Sequence, residues 1–137
     1  MLRYLLNKER FSWALYDWAN SAFWTTVVAG FFPIFFKSYW AAELDGPSSS
    51  AVLGTTNSIA GFCIVLMAPI LGTIADKAGA KKNFLVFFAL LGIIATGSFF
   101  FIPSGYWITA SILFGISLLG GSGSNIFYDS FIFDVSD

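Results

Sequence analysis

Residues 51–82 read AVLGTTNSIAGFCIVLMAPILGTIADKAGAKK, and their division into two unequal parts decides the fold. From Ala51 to Ala75 there are twenty-five consecutive residues without a charge, after which Asp76, Lys77, Lys81 and Lys82 arrive within seven positions. A helix needs about 20 predominantly apolar residues to cross a hydrocarbon core of about 30 Å. This run is long enough. A helix buried in a soluble core is usually shorter, about 10–14 residues, and keeps a polar face. The cluster that ends the run supplies the charge that stays in water.

Moving outward, the same grammar repeats. On the N-terminal side, Lys37 to Ser50 holds Glu43, Asp45 and the Gly46-Pro47 turn signal followed by three serines, and is read as a solvated loop. Before it, nineteen uncharged residues run from Trp18 to Phe36. On the C-terminal side, forty-six uncharged residues run from Asn83 to Tyr128. That is too long for one crossing, and Pro103-Ser104-Gly105 divides it. The expected fold is therefore all-α and polytopic, with four transmembrane helices at about 14–36, 51–75, 83–102 and 106–128. A cleavable signal peptide is the other reading of the first span, after Arg3, Lys8 and Arg10. Its apolar core would be only about 7–15 residues, shorter than this run.

Composition agrees and excludes other classes. Charged residues make up 11% of the 137 residues and hydrophobic ones 57%, whereas a soluble domain carries about 25% charge to face water. The bilayer is the natural partner. Seven Lys and Arg against eight Asp and Glu leave no basic stripe for nucleic acid. With no His and a single Cys63, the residue types for a metal centre, a disulfide framework or a nucleophile with its base are missing. No enzyme activity and no cofactor are expected.

Short cytoplasmic loops are enriched in Lys and Arg. Six of the seven basic residues, Arg3, Lys8, Arg10, Lys77, Lys81 and Lys82, fall on one side of the four spans, leaving Lys37 alone on the other. Both termini and the Asp76–Lys82 loop are therefore expected in the cytoplasm.

Polar residues within the spans have helical spacing. Asp17, Asn20, Ser21 and Trp24 recur at i, i+3, i+4 and i+7. Gly54, Asn57, Ser58, Gly61, Val65, Ala68 and Gly72 form a small-residue stripe in the second span, and Ser117, Gly121, Ser124, Asn125 and Tyr128 another in the fourth. Such stripes either pack helices closely in the bilayer or line a polar cavity. The third span, Asn83 to Ile102, carries only Thr96 and Ser98 beyond its first residue and is expected to face lipid. Depth brings Asp17 to the level of Asn125 and Tyr128, near the cytoplasmic boundary, and Asn20 shares the helical face of Asp17. These four residues, with Ser21 and Trp24, are the candidates for binding a solute or a proton. An ionisable residue within a span is a functional hypothesis, although a carboxylate as shallow as Asp17 can also remain hydrated.

The segment Gly72-Thr-Ile-Ala-Asp76-Lys77-Ala-Gly79-Ala-Lys81-Lys82 has a legible logic. Gly72 allows close packing, Gly79 offers a left-handed turn, and the lysines fix the loop in water. Asp76 stands at the negative end of its own helix, where a carboxylate is disfavoured, so either the neighbouring lysines or the positive end of another helix should hold it. The segment resembles the major facilitator superfamily signature Gly-x-x-x-Asp-(Arg/Lys)-x-Gly-(Arg/Lys)-(Arg/Lys). Gly72, Asp76, Lys77, Gly79 and Lys81 match, Ala80 departs, and Lys82 compensates in charge but not in position. Ser12 to Phe23 (SWALYDWANSAF) and Asn125 to Phe131 (NIFYDSF) are similar to segments of its vacuole-effluxer-like, autophagy-related permeases and their bacterial relatives.

That resemblance, covering essentially the whole chain, implies a secondary transporter that moves a small solute by alternating access. Amino-acid efflux is the activity of the vacuolar members, and a proton is a candidate coupling ion. It implies a cavity lined by the first and fourth helices, a peripheral third, and an Asp76 that docks on a helix of the other half to stabilise one transport state. It also implies twelve helices, so residues 1–137 are expected to be the N-terminal part of the transporter's first domain and to need the remaining helices as partners. The membrane would be the cell membrane in a bacterium and the vacuolar membrane in a fungus. Two other readings stand beside it: a complete four-helix dimeric exporter using Asp17, and a scaffold whose stripes only pack helices.

Overall fold

The computed structural model describes residues 7–132. Arg3, Asp134 and Asp137, which enter the charge argument, lie outside them. Four helices long and apolar enough to cross a membrane account for almost all of the described chain: α1 (Lys8–Trp40), α2 (Gly46–Ala78), α3 (Lys81–Phe101, its last turn 3-10) and α4 (Trp107–Ser130). Lys8, Arg10, Lys77, Lys81 and Lys82 gather at one end of the bundle, called here the basic end.

Local chemistry explains where each helix starts and stops. Asn7 caps α1, its Oδ1 accepting the Glu9 N–H at 3.3 Å. Asp45 caps α2, accepting the Ser48 N–H at 3.4 Å with Pro47 in the first turn. Hydrogen bonds from Ser48, side chain first, hold the Asp45 carboxyl below its ordinary pKa. At the other end of α2, Gly79 takes the left-handed conformation (φ 61°, ψ 26°), and the Ala80 N–H closes back on the Ala75 carbonyl at 3.1 Å. This is the Schellman closure that glycine makes at low steric cost.

The loop expected over Lys37–Ser50 contracts to residues 41–45. Lys37 and Ser50 are both helical, and the Lys37 ammonium donates to Ser50 Oγ at 2.8 Å, tying the two helix ends together. Charge and Gly-Pro signals mark where water begins, whereas helices continue through an interface while caps such as Asp45 satisfy their ends.

The closest helix pair is α3 with α4. Gly92 of α3 meets Gly120 and Gly121 so closely that a Cβ on Gly120 would lie 2.6 Å from Gly92 Cα. Beside this contact, Phe88 occupies the space left by Gly123 and stacks with Phe127, while the Thr96 and Ser117 hydroxyls share a hydrogen bond at 2.8 Å. The third span faces lipid on one side and packs on the other. Phe87, Leu90, Ile93 and Ile94 do point outward, but Phe88, Gly92, Ala95 and Phe99 form a buried seam. Gly92 stands among large apolar residues, which makes the seam hard to see in composition.

At the end opposite the basic one, all four helices converge on an aromatic cluster. Phe32 and Phe114 stack with centroids 3.8 Å apart, and Phe36, Trp40, Phe99 and Ile102 surround them. The Trp40 indole donates to the Ile102 carbonyl at 3.2 Å, and Ser104 Oγ and the Gly105 N–H both donate to the Tyr39 carbonyl. The α3–α4 turn therefore satisfies the end of α1.

α1 is not a uniform α-helix. Phe23–Phe31 and Phe36–Trp40 are π-helical, with the Phe32 N–H reaching back five residues to the Val27 carbonyl. Between them stands Pro33, whose ring would clash with the carbonyl four residues before it and which has no N–H to give. Widening the turn relieves that conflict.

The α2 stripe behaves differently from expectation. Cβ atoms built on Gly54, Gly61 and Gly72 would meet nothing within 4 Å, and Asn57, Ser58 and Val65 are exposed. α2 turns Leu53, Ala60 and Ala75 inward instead. Gly120→Ala should therefore destabilise the bundle by about 1–3 kcal/mol through overpacking. Gly72→Ala should be neutral or stabilising by up to about 1 kcal/mol. Reversible unfolding in mixed micelles measures both, and equal costs would contradict the glycine seam.

Candidate functional site

Polar and aromatic contacts join the basic half of α1 to α4. Asn20 Nδ2 donates to Asn125 Oδ1 at 2.7 Å, which brings together two of the six candidate residues. The Tyr128 hydroxyl donates to the Trp13 carbonyl at 3.0 Å. Its ring lies between those of Trp13 and Tyr16, with centroids 4.8 and 4.7 Å away.

The α1 face that meets α4 is thus Trp13, Tyr16 and Asn20, at i, i+3 and i+7, rather than the stripe anchored on Asp17. Asp17 and Ser21 are exposed, turned to the side of the Asn20 contact. Trp24 lies within the first π segment and turns its six-membered ring toward Gly121. Regular 3.6-residue spacing holds only as far as Ala22, so a stripe drawn across Phe23 loses its register. Trp13 and Tyr16 escaped selection because aromatic residues near an interface usually serve as anchors. Their helical spacing with Asn20 was the available signal.

A cavity of about 300 Å³ opens where the basic half of α1 diverges from α3. Tyr16, Asn20 and Phe23 line one wall, Gly92 and Thr96 the second, and Ser124 lies on α4. A second cavity of about 260 Å³ separates Thr56, Ala60 and Cys63 of α2 from Ser111 and Gly115 of α4. Both walls are largely apolar. Among the described residues the indole N–H groups of Trp13 and Trp24 are shielded and have no hydrogen-bond partner, a state that costs about 1–3 kcal/mol per group.

The loop motif has its own geometry. Lys81 Nζ lies 3.1 Å from Asp76 Oδ1, so within this chain a neighbouring lysine balances the carboxylate at the negative end of α2. Lys77 sits in the last turn of α2, Gly79 makes the left-handed cap, and Lys82 is exposed. Gly72 is half-buried, but a Cβ there would meet nothing within 4 Å, so these four helices do not use it for a close backbone approach.

These features define a polytopic helical membrane protein whose first and fourth helices meet through an amide pair. The chain matches the family described as "Vacuole effluxer Atg22 like" over residues 47–134 and belongs to it. It is also 44% identical over 130 residues to a protein named "Uncharacterized MFS-type transporter YxiO" from Bacillus subtilis (strain 168), a match covering 94% of this chain. The matched part is 30% of that relative's length. No solved structure matches the chain.

The Asn20–Asn125 contact can be weighed directly. In a double-mutant cycle of Asn20→Ala and Asn125→Ala, a coupling of about 0.6 kcal/mol, and at most about 1.7, is expected for a side-chain hydrogen bond between membrane helices. Strict additivity in reversible unfolding would show that the amides do not hold the helices together.

Proposed function

We propose that this chain is the first part of a secondary transporter that moves a small polar solute, with amino-acid efflux as its activity. The observation that carries the reading is the Asn20–Asn125 pair in the α1–α4 seam. It is a neutral hydrogen-bonding site among aromatic rings, in a family of effluxers. Its amides offer both donors and acceptors. A zwitterion carries an ammonium and a carboxylate, and the amide oxygens and N–H groups of the pair suit the one and the other. Asp17, exposed beside the pair on α1, is a candidate proton carrier.

Alternating access requires walls on both sides of the solute. Substrate sites in such folds lie between repeats near the midplane, and the four helices provide walls on one side. The remaining helices of a longer polypeptide complete the site in this reading, and the Asp76–Lys81 pair biases one of its two states. The bias of six of seven basic residues to one side supports a cytoplasmic basic end. In a Cys63→Ala background, cysteines at Ala42 and Ala78 should be labelled from opposite sides of the membrane; same-side labelling would refute that orientation.

Flux through liposomes tests the function. The longer protein should move radiolabelled amino acids in a saturable, proton-gradient-dependent manner, whereas the 137-residue chain alone should not. Asp17→Asn should abolish gradient dependence without reducing insertion. Saturable uptake by the 137-residue chain alone would instead support the small exporter, and its failure in both forms would support a scaffold.

A further inference from the structure

The two halves of α1 are held in unequal ways. Beyond the first π segment, Phe32, Phe36 and Trp40 are 0–1% exposed and locked in the aromatic cluster. Before it, no residue of Lys8–Ala22 is buried. That half is joined to α4 through the Asn20–Asn125 hydrogen bond, the Tyr128 hydroxyl on the Trp13 carbonyl, and the insertion of the Tyr128 ring between Trp13 and Tyr16. The cavity of about 300 Å³ separates it from α3. One half is embedded and the other is clasped at its end.

What lies between them is the nine-residue π segment Phe23–Phe31, followed at once by Pro33. π turns are rare and usually occur singly, often at functional sites. Their hydrogen bonds have a ready alternative partner one residue nearer in the chain, so the segment can tighten to α geometry without leaving the bilayer or baring its backbone. Tightening changes the twist between the two ends. Because the far end is fixed, the motion must appear in Lys8–Ala22.

We propose that Lys8–Ala22 is a lever hinged on Phe23–Phe31 and latched onto α4 by Tyr128. When the latch is closed, the aromatic sandwich covers the basic end of the α1–α4 seam, and Asn20 stays on Asn125. When it opens, the cavity between α1 and α3 widens toward the basic end, and both amides are released for another partner. The role of that opening in admitting a solute rests on the transport reading. The lever itself rests only on the geometry of this chain, and its test uses no transport.

Spin labels on cysteines at Ser12 and Asn83, in the Cys63→Ala protein in lipid nanodiscs, report the distance from the lever to the start of α3. A second pair, at Ala42 and Thr109, reports the fixed end. Pulsed dipolar spectroscopy should give two distance populations for the first pair and one for the second. Tyr128→Ala should make the longer population several-fold larger, and Tyr128→Phe, which keeps the ring but loses the hydroxyl, should have a smaller effect in the same direction. An unchanged Ala42–Thr109 distance shows that the bundle remains folded. If Tyr128→Ala disrupts that distance, the Tyr128→Phe comparison decides. One population that neither folded variant alters would overturn the latch. Parallel broadening of both pairs in the parent protein would mean that α1 moves as a rigid rod and would overturn the hinge.

Discussion

The backbone contact between Gly92 and Gly120 sets the frame on which the other helices rest. Lipid gives little hydrophobic reason for two helices to meet, since its chains are as apolar as leucine, so association depends on close packing and hydrogen bonds. Glycines on both sides bring α3 and α4 close enough for Phe88 to fill the space at Gly123 and for the Thr96 and Ser117 hydroxyls to meet at 2.8 Å. With α4 so placed, Phe114 faces Phe32, and Asn125 and Tyr128 face α1. Both ends of the α1–α4 seam thus depend on one small-residue contact made by a third helix.

α1 meets this frame with two kinds of chemistry. Its far end uses large aromatic surfaces and borrowed hydrogen bonds, including Trp40 on the Ile102 carbonyl and Ser104 on the Tyr39 carbonyl. Its basic half uses individual polar contacts beside a cavity. The π segment lets one continuous helix serve both, because the register that seats Phe32 and Phe36 need not be the one that aims Asn20. Pro33 gives the departure from α geometry a local cause.

Much of this was legible in the sequence because the bilayer imposes simple rules. Charge spacing pointed to four helices, Gly79 to the left-handed cap, and depth to a meeting of the Asp17 region of the first span with Asn125 and Tyr128, although it is Asn20 that makes the contact. The stripes were less legible for three physical reasons. A stripe assumes 3.6 residues per turn, and α1 abandons that value at Phe23, so Ser21 and Trp24 do not share the Asn20 contact. A glycine shows that close approach is allowed, not that it occurs, which is why Gly72 and Gly120 differ so sharply. Gly92 and Gly97 in an apolar run are too few to make a stripe, and only Gly92 is a residue on which α3 turns inward.

The central claim is that the α1–α4 seam, with Asn20 and Asn125 at its core, is where the family's solute is held. Alkylation of Ala19→Cys tests it most directly, because Ala19 lines the same cavity as Asn20 without making the contact. In the longer protein with Cys63 replaced by Ala, saturable protection of Ala19→Cys by a transported amino acid is expected, with no effect at a control Ala78→Cys. Unchanged labelling of Ala19→Cys at saturating solute, in protein that still transports, would contradict the account.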